Sequence, residues 1–203
     1  LDRTLAPEPP ATRTPRKAYR ELIDDRRGLL DAERYEAVVA KIAQTIGDAF
    51  ISGHRVFWCG NGGSAADAQH LAAEFSGRFL RERRALPSEA LSVNSSAVTA
   101  IANDYGYERV FARQVEAFAR PGDIVVALST TGNSPSVVLA LEEAKKAGAT
   151  TIAFSGNGGG KMTAFADIAL IGPDGYSALV QEIHITLGHI VCDLVEQAVF
   201  PDA

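Results

Sequence analysis

The sequence predicts an α/β protein: a three-layer, doubly wound sheet of five parallel strands with helices ahead of it. Two observations carry that expectation. Five short apolar runs alternate with stretches of helical periodicity, and each run leads into a turn rich in Gly, Ser or Asn. Strands that alternate with helices are joined by crossovers, and crossovers lay helices on both faces of a parallel sheet.

Residues 1–16 are rich in proline and poor in large apolar side chains, too little surface to offset the entropy of ordering. A loose tail is expected there, followed by one domain over 17–203. Between Lys17 and Ser52, Leu22, Ile23, Leu29, Leu30, Tyr35, Val38, Val39, Ile42 and Ile46 recur at helical spacing and predict one or two amphipathic helices. The first strand is read at Arg55 to Cys59, with a helix from Ala65 to about Phe79. The second is read at Ala90 to Val93, with a helical stretch through Val98 and Ile101 to Phe118. Asp123 to Leu128 forms the third, followed by a helix from Pro135 to about Ala147. Thr150 to Phe154 and Ile168 to Ile171 complete the sheet, and a long helix from about Tyr176 to Phe200 ends the domain.

Composition narrows the function. The chain has 203 residues, 46% hydrophobic and 22% charged, which is the balance of a globular domain and excludes wholesale disorder. With 25 acidic against 20 basic residues the net charge is −5, which argues against a phosphate-backbone binder, so no nucleic-acid partner is expected. No apolar run approaches the roughly 20 residues that span a bilayer, and the first residues lack the apolar stretch of a secretory signal. No membrane association is expected, and the expected compartment is the cytoplasm. Cys59 and Cys192 lie in apolar patterns and have neither disulfide nor metal spacing, so both are read as buried thiols.

Ligands of doubly wound sheets bind beyond the carboxyl ends of the strands, so the turns after strands one and three carry most of the functional information. Gly60-Asn61-Gly62-Gly63-Ser64 follows a strand and opens a helix. Ser64 and Asp67 have capping-box spacing, yet three glycines also let a backbone approach a ligand, and a helix N-terminus attracts an anion. Helix capping and phosphate binding both remain open. A dinucleotide reading of the same turn needs an acidic residue at the end of strand two, where Asn94 stands, and is weakened accordingly. In Ser129-Thr130-Thr131-Gly132-Asn133-Ser134, Pro135 suits the first helical position and makes Ser134 the N-cap. A good cap leaves three further hydroxyls unexplained, and phosphate accounts for them. Ser155-Gly156-Asn157-Gly158-Gly159-Gly160-Lys161 fails the nucleotide-triphosphate pattern at Ser155 and at Met162, and is read as a flexible turn.

His70 and Glu74 are four apart and share a helix face, while Gln181, His184 and His189 lie on the final helix. Taken singly, each histidine reads as a core residue. Grouped with a carboxylate beside a phosphate site, they are equipment for moving a proton on carbon next to a carbonyl. His54, at the opposite end of strand one, reads as a surface residue. Arg78, one turn beyond Glu74, reads either as that carboxylate's partner or as a solvated side chain.

The segments GNGGSAADAQHLAAEFSGRF, ANDYGYE, STTGNS and QEIHITLGH, in that order, resemble the phosphoheptose isomerases of the sugar isomerase (SIS) domain family, and the likeness runs from about Lys17 to the C-terminus. The resemblance implies a flavodoxin-like SIS fold and interconversion of sedoheptulose 7-phosphate with D-glycero-D-manno-heptose 7-phosphate through an ene-diol. It implies a homotetramer with sites between subunits, built partly by the N-terminal helices. By resemblance, Glu74 is the base at C1 and His189 its acid/base partner. Ser64, Ser129, Thr131 and Ser134 match phosphate-holding positions, with Thr130 beside them. Asn61, Gly62, Gly63, Asn103 and Asp104 match positions along the sugar, and Gln181 matches one at the reacting end. His70, Glu74, Gln181 and His189 match positions that hold Zn2+, one per subunit. Two histidines and a carboxylate suit zinc, while an amide is a poor fourth ligand. The chain departs from the family where Asn94 stands in place of an acidic or hydroxyl-rich turn, and where Thr131 replaces Ser. Two other readings stay open: a non-catalytic SIS-domain protein that binds a replication initiator, and an isomerase of another sugar phosphate.

Overall fold

The computed structural model describes residues 15–202, apart from Gly28 and Leu30. Of the expected tail over 1–16, only Pro15 and Arg16 fall within the described residues, and they begin a helix. Helices α1 (Pro15–Arg27) and α2 (Ala32–Ile51) precede the sheet. Asp31 starts α2, its carboxylate accepting from the backbone N–H groups of Glu33 and Arg34, which satisfies two of the donors a helix leaves unpaired at its start.

The sheet contains β1 (Val56–Gly60), β2 (Ser88–Ala90), β3 (Ile124–Ser129), β4 (Thr150–Ser155) and β5 (Ile168–Ile171). All are parallel, in the order β2-β1-β3-β4-β5. The order reverses direction between β1 and β3, and such a switch point opens a crevice at the carboxyl ends of those two strands. β1 and β3 are buried along their whole lengths because both faces are covered. Alternate side chains serve opposite cores. Val56 and Trp58 join Ile42, Ile46, Leu71, Phe75 and Val191 on one side, while Phe57 and Cys59 join Phe111, Val115, Val137 and Leu141 on the other. The first core lies under α2, α3 (Gly63–Ser76) and α7 (Ser177–Val199). The second lies under α5 (Ala112–Phe118) and α6 (Pro135–Lys146), with α4 (Ser95–Tyr105) half-buried beside them.

Three boundaries differ from expectation for identifiable reasons. β2 begins two residues earlier than predicted and ends at Ala90, where Val93 N donates to Ala90 O in a turn that leads to Asn94, the cap of α4 that accepts from Ala97 N. The helical stretch to Phe118 is broken at Gly106, whose φ of 88° no ordinary helix residue adopts. A single 3-10 turn, Tyr107–Arg109, then leads toward α5. The expected box of Ser64 and Asp67 does not form: Gly62, at φ 55°, is the N-cap of α3, and Ser64 is buried inside the helix.

α7 is long and apolar enough to cross a membrane by length and composition, yet half of its most apolar window is buried. It runs along α2 and α3 as a core helix, with Val180, Val191, Cys192 and Val195 fully enclosed.

Candidate active site and metal group

α3 and α7 lie side by side and run in the same direction. The contacts climb in step: Gly63 faces Gln181, Leu71 faces Gly188, and the backbone after α3 meets Glu196. At Gly188 a Cβ would come within 2.6 Å of Leu71, so the glycine permits the close approach. Midway along this pair, His70 Nε2 and His189 Nε2 stand 2.8 Å apart, one ring donating and the other accepting. His70 Nε2 also lies 3.1 Å from Glu74 Oε1. One ligand atom from each of His70, Glu74 and His189 falls within 4.8 Å of the others. Phe79 stacks on the His189 ring with centroids 5.5 Å apart. His70 is half exposed and Glu74 mostly covered, so the group opens to one side.

This trio fits a metal ion by donor type. Ligands about 2.0–2.1 Å from a tetrahedral zinc are roughly 3.3 Å from one another, so a slight spreading of the two imidazoles would admit one. Gln181 is placed elsewhere within the chain. Its amide lies against Gly63 at the start of α3, and eight residues of helix, about 12 Å of rise, separate it from His189.

The phosphate-type turns lie at the carboxyl edge of the sheet. Asn61 donates through Nδ2 to Ser136 Oγ (2.9 Å) and accepts from the Tyr107 hydroxyl (2.9 Å). Tyr107 thus ties the first loop to the segment that carries Asn103 and Asp104, which bond each other at 2.8 Å. In the second loop, Ser129 Oγ donates to Ser134 Oγ at 3.4 Å, and Thr130 Oγ1 meets Ser177 Oγ at 3.1 Å. Ser134 is the N-cap of α6 as predicted, yet its side chain makes no capping bond. The same holds at Gly62 of α3 and Tyr176 of α7, in contrast to the Asx caps of α2 and α4. Three helices therefore present free N–H groups and the positive ends of their dipoles along this edge, the arrangement that receives an anion.

The third glycine run is a buttress rather than a flexible turn. A Cβ at Gly132 would meet Gly159 O, and one at Gly160 would meet Thr131 O, so the two loops mesh backbone to backbone. Met162 N donates to Gly132 O, and Lys161 N to Asn133 Oδ1.

Other candidates lie apart from the group. His184 is buried under β4, its Nε2 donating to Ser155 O at 3.0 Å while Nδ1 lacks a partner. Burial pulls its pKa down to about 4, against the effect of that backbone bond, so the ring is neutral. Arg78 pairs with Glu82 rather than Glu74. His54 sits partly exposed by Asp123. Burial pushes the Asp67 carboxyl up to about 6, opposed by His70 one turn away. Burial likewise raises both thiols, Cys59 to about 12.

Sequence reasoning missed an ion pair. Glu196 and Arg83 are fully buried and meet at 2.9 Å. The carboxylate also accepts from the backbone N–H groups of Phe79, Leu80 and Arg81. Burial alone would raise its pKa, but those donors and Arg83 together hold it below the usual value. Arg83 in turn donates to the carbonyls of Glu74, Phe75 and Gly77, closing the end of α3. The signal was a Glu in the apolar stripe of α7, one position after Val195.

Residues 25–156 match the SIS domain family. The chain is 46% identical over 188 residues to the phosphoheptose isomerase of Roseiflexus sp. (strain RS-1), covering 90% of this chain and 95% of that protein. It is 53% identical over 164 residues to the phosphoheptose isomerase of Trichlorobacter lovleyi, covering 81% and 84%. Among solved structures, the phosphoheptose isomerase of Neisseria gonorrhoeae superposes with a TM-score of 0.80 at 37% identity, covering 89% of this chain and 95% of that one.

Proposed function

We propose, from the premise that this chain belongs to the SIS domain family, that it is a phosphoheptose isomerase interconverting sedoheptulose 7-phosphate and D-glycero-D-manno-heptose 7-phosphate. The observation that carries the reading is the meeting of Glu74 with His70 and His189, in a chain whose sheet edge presents three uncapped helix starts suited to an anion.

The phosphate is held by Ser64, Ser129, Thr130, Thr131 and Ser134 together with the uncapped helix starts. Asn61, Gly62, Gly63, Asn103 and Asp104 run along the sugar, and Gln181 contacts its reacting end. Glu74 takes a proton from C1 of the open ketose, and the electron pair left behind forms the C1–C2 double bond as the C2 oxygen takes a proton from His189. The ene-diol collapses to the aldose when Glu74 returns the proton to C2 and His189 accepts one from the C1 hydroxyl. Both steps balance, and both need groups that gain and lose protons near neutral pH. His70, Glu74 and His189 would hold a zinc ion, one per subunit, with Gln181 of the partner subunit as fourth residue because Gln181 of the same chain lies too far along α7; when bound, the ion supplies Lewis acidity for the sugar oxygens.

A homotetramer with sites between subunits completes the reading. Its support is an apolar groove between α2 and α7, formed by Tyr35, Val39, Leu187, Ile190 and Leu194, with Ile190 and Leu194 exposed. Tyr19 and Leu22 of α1 are exposed as well. Two free buried thiols suit a reducing cytoplasm.

The test is deuterium exchange at C1 of sedoheptulose 7-phosphate in D2O, with and without a chelator. The wild type is expected to exchange and to form heptose phosphate, while Glu74→Gln loses at least about 100-fold with an unchanged melting curve. Undiminished turnover by the folded Gln variant removes Glu74 from the chemistry, and loss of exchange on chelation assigns the metal a working role.

A further inference from the structure

We propose that Asn157 is a positioning residue that sets the span between the phosphate loop and α7, and so tunes which sugar length the site accepts. Within the described residues it is the one non-glycine residue in the left-handed region, at φ 51°, a conformation that Asn tolerates better than most residues. That backbone turn aims its side chain across two loops. Nδ2 donates to Thr130 O at 3.0 Å and to Gly175 O at 3.2 Å, while Oδ1 accepts from Gly175 N at 3.0 Å. One amide therefore uses both ends to join the turn after β3 to the turn before α7. The hydroxyl contact between Thr130 and Ser177 lies at the same junction.

The consequence follows from what each side carries. Thr130 belongs to the loop that holds the phosphate, and the start of α7 carries Gln181, which contacts the reacting end of the sugar. A phosphorylated sugar is anchored at one end and reacts at the other, so the separation of the two ends decides which chain length reaches the proton-transfer groups in line. Misplacement by about 1 Å costs such a reaction about 100-fold. Asn157 is exposed, so its removal leaves no cavity, and its contribution lies in the tie rather than in core packing.

This inference rests on the isomerase reading, and the experiment separates the two. Asn157→Gly keeps the left-handed backbone and deletes the tie, while Asn157→Asp keeps the acceptor for Gly175 N and loses both donations. For Asn157→Gly, kcat/KM for sedoheptulose 7-phosphate is expected to fall roughly 10- to 100-fold, and its ratio to kcat/KM for fructose 6-phosphate to fall at least threefold. Asn157→Asp is expected to lie between that variant and the wild type. A purely structural role would scale both sugars alike, so an unchanged ratio, within twofold, in the folded Gly variant overturns the proposal. Should the wild type leave fructose 6-phosphate unchanged, amide exchange decides the tie, and should it isomerise neither sugar, the isomerase reading fails and amide exchange again decides. Inorganic phosphate is then expected to slow exchange at Gly175 in the wild type but not in Asn157→Gly. Equal slowing in both proteins, or none in the wild type, overturns the tie.

Discussion

Replacing Arg83 by Met tests how the site is held together. The guanidinium and the Glu196 carboxylate are both fully buried, so solvent does not screen their interaction. Met fills much of the same volume, and leaves Glu196 with three backbone donors but no counter-charge. It also strips the carbonyls of Glu74, Phe75 and Gly77 of their side-chain donor. Breaking a buried pair by removing one partner costs about 3–5 kcal/mol. A separate count gives a similar figure: one hydrogen bond between charged groups at about 1.5–3 kcal/mol, plus carbonyls at about 1 kcal/mol each. At a urea m-value near 2 kcal/mol/M, within the usual range, about 4 kcal/mol lowers the midpoint by about 2 M. Adding Glu196→Gln removes the orphaned charge, so the double variant is expected to be less destabilised than the sum of the singles by about 1–3 kcal/mol. Equilibrium urea melts of the four proteins at one fixed concentration measure both quantities. A loss below about 1 kcal/mol for Arg83→Met, with additive singles, would refute the assignment of this pair as the clasp between α3 and α7.

Two further outcomes are expected. His184 has a folded pKa of about 4 against an ordinary 6.5, so the unfolded chain binds the extra proton between those values, and stability falls as pH drops through that window, by up to about 3 kcal/mol. Asp67, raised from 3.8 to about 6, acts with the opposite sign over nearly the same window, gaining stability as pH falls and offsetting much of the His184 effect. Relative to the wild type, the urea midpoint of His184→Gln should therefore fall less, or rise, between pH 7 and 4, because the Asp67 contribution is left unopposed, and identical slopes would count against the buried imidazole. Gly132→Ala would push a Cβ into the backbone of Gly159 at φ +65°. Loss of inorganic phosphate binding, with a modest drop in midpoint, is the expected result by calorimetry, and full retention would show that the two loops do not mesh as described.

Much of this fold was legible because its signals are local. Apolar runs such as Val125 to Leu128 are buried on both faces and read as strands without a partner in view. Pro135 and Ser134 announced the start of α6. What resisted reading depends on contacts between distant segments. Asn94 reads as the end of strand two, but it caps α4 well after β2 has ended at Ala90, and Gly62 displaced the capping box because its backbone, rather than a side chain, sets the start of α3. The meeting of His70 with His189 was expected from resemblance, whereas periodicity alone could not tell which face of α7 turns toward α3. The separation of Gln181 from that pair along one chain was out of reach for the same reason. Arg83 is one arginine among several in a charged stretch, and only the tertiary fold singles it out by burying it.

The two imidazoles that touch in the candidate site are 119 residues apart in the chain. Closing so long a loop carries an entropic penalty that only the docking of the last helix repays. His70 and Glu74, one turn apart on α3, already form two-thirds of the group before α7 is synthesised. The third member, His189, arrives only when the C-terminal helix seats, and the same helix seals one face of the sheet with Ile183, Leu187, Val191 and Val195.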